Sequence, residues 1–123
     1  MVAMAVLCLL MLPGLPARAA TPLVLTSGSQ SLDAWSVASL QADASRERTA
    51  GDMLRRLDRF EAPPHRGGSI GAHQEAMWLR IPLAVPEAPT HQWIVNLDYG
   101  ALQEIDIYLA QGGQVQQQAL LGY

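Results

Sequence analysis

Apolar and polar positions alternate in several short runs along this chain, and the runs predict strands. In "AMWLRIPLAV", Ala76 to Val85, a period of two sets Met77, Leu79, Ile81, Leu83 and Val85 on one face. Trp78, Arg80 and Pro82 fall on the other. The next run, "HQWIVNLDYG", puts Trp93, Val95, Leu97 and Tyr99 against Gln92, Ile94, Asn96 and Asp98. "EIDIYLA" repeats the grammar, with Ile105, Ile107 and Leu109 opposite Glu104, Asp106 and Tyr108. "QGGQ", Gln111 to Gln114, is the signature of a tight hairpin turn leading into a polar strand, Val115 to Ala119. Nearer the start, Leu23 to Thr26 reads as a short strand and Ser27 to Gln30 as a turn. The stretch from Leu32 to Leu40 has no clean period and reads as irregular with partial strand.

One segment changes period. Met53, Leu54, Leu57 and Phe60 recur at helical spacing, and Thr49 followed three residues later by Asp52 is an N-terminal cap pattern, so a helix is expected over about residues 50 to 59. Its Arg55, Arg56 and Arg59 read as a solvated face. Prolines and glycines in "EAPPHRGGSIG" end it in a loop. Alternating strands joined by turns predict a mainly β chain: an antiparallel β-sandwich with one short helix, in which Met77, Leu79, Ile81, Trp93, Val95, Leu97, Ile105 and Ile107 are buried between two sheets. The ending "ALLGY" leaves the sheet without a polar close and reads as part of a longer domain.

Composition narrows the function. With 123 residues, half of them hydrophobic, the chain is sized for one domain with a packed core. All eight basic residues are arginines and the formal charge is -3, which excludes the basic surface of a nucleic-acid binder. Residues 1–19 join an apolar run to a Pro/Gly break and a small-residue A-x-A site at Ala17 and Ala19, as in a secretory signal peptide, although no positive segment precedes the run. Pro13 and Gly14 interrupt it well short of the roughly twenty apolar residues that span a bilayer. The remainder, residues 20–123, is expected to be an exported β-sandwich domain. Cys8, the one cysteine, lies inside the export segment, so the mature chain has no disulfide, thiolate metal site or cysteine nucleophile.

The order of these signals resembles a known family: the type 2 extracellular sensor domain of bacterial seven-transmembrane receptors with diverse intracellular signalling modules, the 7TMR-DISM group. The likeness is carried by "PLVL" after the export segment, the helix ending in Phe60, "GG" and a further glycine before "WLRIPL", then "WIVNLDY", "EIDIYL" and "LLGY". The resemblance implies a jelly-roll sandwich similar to carbohydrate-binding modules, placed in the periplasm. It further implies that a full-length parent adds transmembrane helices and a cytoplasmic signalling module, giving a receptor anchored in the cytoplasmic membrane. The function expected is non-enzymatic sensing of a carbohydrate or small polar ligand. The rival from another class is a secreted carbohydrate-binding or adhesion module without a signalling role.

The candidate ligand-binding residues are Trp78, Arg80, Asp106 and Tyr108, which alternation sets on one non-core face, with Asp98 on the neighbouring strand. Aromatic rings beside an arginine and carboxylates suit a platform for sugars or small polar molecules. The structural alternative is that Arg80 pairs with Asp98 or Asp106 and packs on Trp78 as a cross-strand brace. His65, His73 and His91 lack the close pairing of a metal motif. Ser69 has no nucleophile-elbow context, and Glu104 with Asp106 is ordinary strand polarity. No cofactor, catalytic residue or metal ligand is expected.

Overall fold

The computed structural model describes residues 21–26, 31–64, 74–86, 92–97 and 104–122. The described part is mostly β, with one short α-helix and three two-stranded sheets. In chain order the elements are β1 (Leu23–Val24), a 3-10 turn (Ala34–Val37), β2 (Ser39–Asp43), α1 (Ala50–Leu54) and a second 3-10 turn (Leu57–Arg59). They continue with β3 (Ala76–Arg80), β4 (Leu83–Ala84), β5 (Glu104–Gln111) and β6 (Gln114–Gly122). The export segment, the 27–30 turn, the three histidines, Ser69, Asp98 and Tyr99 lie outside the described residues.

The irregular stretch resolves into a turn and a strand. The Asp33 carboxylate accepts from the backbone N–H of Trp35 at 3.0 Å and caps the first 3-10 turn. Beyond Ala38 the chain extends into β2, which pairs antiparallel with β3 in the register Ser39↔Arg80, Leu40↔Leu79, Gln41↔Trp78 and Ala42↔Met77. On its other side β2 bridges to Glu61, with Leu40 N–H donating to Glu61 O at 2.7 Å and Glu61 N–H returning to Leu40 O at 2.9 Å. Leu40 thus gives both backbone groups to Glu61, stands opposite Leu79 as a non-hydrogen-bonded pair, and is 8% exposed. Ala38, Ala50 and Met53 join it as the buried apolar residues among those described.

The helix is shorter than its spacing predicts. Thr49 and Asp52 form the expected N-terminal cap, and it is a reciprocal capping box: the Asp52 N–H donates to Thr49 Oγ1 at 3.1 Å, and the Thr49 N–H donates to Asp52 Oδ2 at 2.9 Å. Regular α geometry ends at Leu54, and the apolar positions that follow are carried by the second 3-10 turn. Arg56, at φ −125° and ψ 27°, has left helical backbone, and that interrupts the ladder.

Three expectations about strands are corrected. The run Met77 to Val85 is two strands rather than one, because Pro82 has no N–H to continue a ladder. Its carbonyl instead accepts from Leu23 N–H at 2.8 Å, and β4 pairs with β1. That pairing is parallel, against the expectation of antiparallel sheets throughout; the long crossover between the two strands permits it. The third correction concerns residues 92–97, which form no strand. Val95 is 62% exposed, and Trp93 and Leu97 are also exposed rather than buried. Alternation states which face a strand would bury, but burial needs a neighbouring strand, and among the described residues this segment has none. Met77, Leu79, Ile81, Ile105 and Ile107 are half-buried.

The hairpin follows the expectation closely. Gly112 and Gly113 have φ of 61° and 76°, the left-handed pair that a two-residue type I′ turn requires and that glycine adopts without steric cost. Gln111 pairs with Gln114 across it. β6 runs on to Gly122, past the expected end at Ala119, and a register irregularity falls at Leu109/Ala110. β6 also lies against α1.

Candidate functional site

Antiparallel register decides which side chains share a face. Directly opposed residues project to the same side, so Trp78 and Arg80 of β3 share a face with Gln41 and Ser39 of β2. On β5, Asp106 and Tyr108 are two apart and also share a face, with Leu120 and Gln118 opposite them on β6.

The two faces meet through one aromatic contact. The rings of Trp78 and Tyr108 stack with centroids 5.7 Å apart and an interplanar angle of 25°. That is offset-stacking geometry, a type of contact that adds about 0.5–1.5 kcal/mol beyond area burial. Because β3 and β5 belong to different sheets, the stack links the β2–β3 pair to the β5–β6 hairpin. Both residues are half-buried. Burial pushes the Tyr108 hydroxyl above its ordinary value of 10.0, and the negative charge of Asp106 adds to the rise, so the phenol stays protonated at neutral pH.

The four candidates are therefore joined unequally. Trp78 and Tyr108 are in contact, and Arg80 and Asp106 lie two residues from one or the other on the same faces. Among the described residues no ion pair links Arg80 to Asp106, so the brace between those two is not formed. The other proposed brace partner, Asp98, lies outside the described residues.

Sequence reasoning missed Gln41. Its Oε1 is buried without a hydrogen-bond partner, directly across the ladder from Trp78. An unsatisfied buried amide oxygen costs about 1–3 kcal/mol, which makes it a conspicuous feature of this face. The signal that would have found it is the two-residue period of "SLQAD", too short to register beside the irregular turn before it.

A second carboxylate is held at the end of β2. Asp43, 2% exposed, accepts from Ser45 Oγ at 2.6 Å, from Ser45 N–H at 3.1 Å and from Arg48 N–H at 3.1 Å, with the Arg48 Nε 3.5 Å away. The Ser45 hydroxyl is the main reason its pKa lies below the ordinary 3.8, with the Arg48 and Ser45 amides and the Arg48 charge adding to it. Every oxygen is occupied, so Asp43 closes the β2–α1 connection rather than offering a ligand group.

The described residues are mainly β, with an aromatic pair between two of the sheets. A family model described as 7TMR-DISM extracellular 2 matches residues 35–123, and the chain belongs to that family. Its members are sensor domains of membrane receptors, lying on the extracellular or periplasmic side. No curated protein matches the chain. Among the described residues no helix is long and apolar enough to cross a membrane.

Proposed function

We propose that this chain is a non-enzymatic, periplasmic ligand-sensing domain of a bacterial signalling receptor, and that Trp78, Tyr108, Arg80 and Asp106 form its platform for a carbohydrate or small polar ligand. The Trp78–Tyr108 stack carries this reading. It gathers two large rings between separate sheets, and both are only half-buried, which leaves part of each open to a ligand. Arg80 supplies donors and Asp106 acceptors within two residues of those rings, a complement suited to hydroxyl-bearing ligands. Gln41 lies opposite Trp78 on the same face. In this account residues 1–19 are a cleaved export signal, residues 20–123 are the sensor domain, and the sheets are layers of a jelly-roll-like sandwich that the parent receptor completes.

Thermal melts of wild type and Arg80→Ala, with and without a panel of glycans, test the platform. A ligand-dependent rise in Tm that Arg80→Ala removes, with the unliganded melt unchanged, is the expected result. A large fall in the unliganded melt, with ligand stabilisation intact, would show that Arg80 braces the sheet instead. The receptor context is tested by the gene beyond codon 123, where apolar spans and a signalling module are expected. A catalytic domain there would oppose it.

A further inference from the structure

An open cleft of about 550 Å³ lies over the helical segment, lined by Arg48, Asp52, Arg55, Arg56, Asp58 and Arg59 and by neither ring of the aromatic pair. We propose that this cleft binds a phosphate-type oxyanion. Four guanidinium groups face two carboxylates in the lining, and with the Asp43 carboxylate that pairs with Arg48 counted, one positive charge remains in excess on a chain whose formal charge is -3. Two of the four are fixed by carboxylates: Arg48 by Asp43 at 3.5 Å, and Arg55 Nη2 by Asp52 at 2.6 Å. Arg56 and Arg59 make no ion pair among the described residues. The Arg59 N–H donates to Arg56 O at 3.0 Å across the 3-10 turn, which ties these two backbone positions together beside the cleft.

Guanidinium forks match tetrahedral and planar oxyanions bidentately, which ammonium groups do not, and all the cations of this chain are arginines. The lining contains no aromatic or aliphatic residue, so a sugar ring finds no aromatic face to stack on there and an apolar ligand no apolar side chain. Asp52 and Asp58 temper the field. A ligand gains there only by presenting several anionic oxygens at once, as a phosphate group does. The same group arrives from two sources, a soluble phosphate or the headgroup of an anionic lipid.

The test uses the full chain. Inorganic phosphate is titrated at constant ionic strength, held with sodium chloride, while the arginine side-chain NMR signals are followed. In parallel, binding is measured to vesicles of phosphatidylcholine alone and of phosphatidylcholine with phosphatidylglycerol. Saturable phosphate binding identifies a soluble ligand, and binding only to the anionic vesicles identifies the headgroup. In either case the double variant Arg56→Gln/Arg59→Gln, which keeps the first two methylenes of each stem, is expected to weaken binding about tenfold or more. Arg46→Asn is the control: Arg46 is exposed, lies outside the cleft and has a φ of 60° that asparagine tolerates. It is expected to leave binding unchanged. No saturable binding in any arm overturns the proposal, as does an equal loss in Arg46→Asn, which would reduce the effect to net charge. Urea melts of each variant confirm that the fold is intact.

Discussion

Leu40→Ala is the substitution that most directly probes how this fold is held. Leu40 is 8% exposed, opposes Leu79 in the β2–β3 ladder, and has both backbone groups bonded to Glu61 on the other flank. Truncating it removes most of one of the few buried apolar side chains among those described. Fully enclosed Leu→Ala sites cost about 2–5 kcal/mol, the upper end being reached where a closed cavity is left. Among the described residues no side chain is below 2% exposed, so neighbours and water can collapse onto the vacated space. The lower part of the range, about 2–3 kcal/mol, follows. In urea denaturation, with a slope typical of small domains, this is a midpoint shift of about 1–2 M. The slope itself should not change. Ile94→Ala is the internal control, because Ile94 is 89% exposed and its loss should stay within about 0.5 kcal/mol. A Leu40→Ala cost below that bound, or an Ile94→Ala cost equal to it, would refute the assignment of the core to β2.

Thr49→Ala removes one half of the capping box and should cost about 1 kcal/mol by urea denaturation, with Thr49→Ser restoring most of it. Gly113→Val forces a β-branched side chain to φ 76° and should destabilise the hairpin by about 1–2 kcal/mol. Gly112→Asn, compatible with the same turn, should leave the melt nearly unchanged. The carboxyls of Asp43 and Asp52 both lie below their ordinary 3.8 in the folded chain, Asp43 chiefly through the Ser45 hydroxyl and Asp52 chiefly through the Thr49 amide. Since the folded state binds these protons less readily than the unfolded state, their contribution is present above pH 3.8 and is lost as pH falls through the lower folded values. Melts below pH 4 should therefore show an acid-induced loss that Asp43→Asn flattens, and an unchanged acid limb would contradict the Asp43 contacts.

What could be read from the sequence was what depends on near neighbours. The Gly112–Gly113 turn with its flanking alternation, and the Thr49–Asp52 box, are local devices, and both have the expected geometry. Pairing between distant segments was not readable. Nothing within residues 92–97 states whether a partner strand lies alongside, and nothing in "PLVL" states that it will run parallel to Leu83–Ala84. The break at Pro82 was available, since a missing N–H is visible in the sequence, but the unbroken alternation around it masked the signal. Alternation put Trp78 and Tyr108 on non-core faces, while their mutual stacking, and the place of Gln41 beside them, needed the register.

The central claim is that the face carrying the Trp78–Tyr108 stack recognises a ligand, and calorimetric titration of a glycan panel into wild type and Trp78→Ala tests it most directly. The account predicts saturable binding by wild type, weakened by about fivefold or more in Trp78→Ala, since one aromatic stacking surface is worth on the order of 1 kcal/mol and the substitution also removes the Tyr108 ring's partner. Binding that persists unchanged in Trp78→Ala would contradict it and leave the stack as a contact between sheets alone.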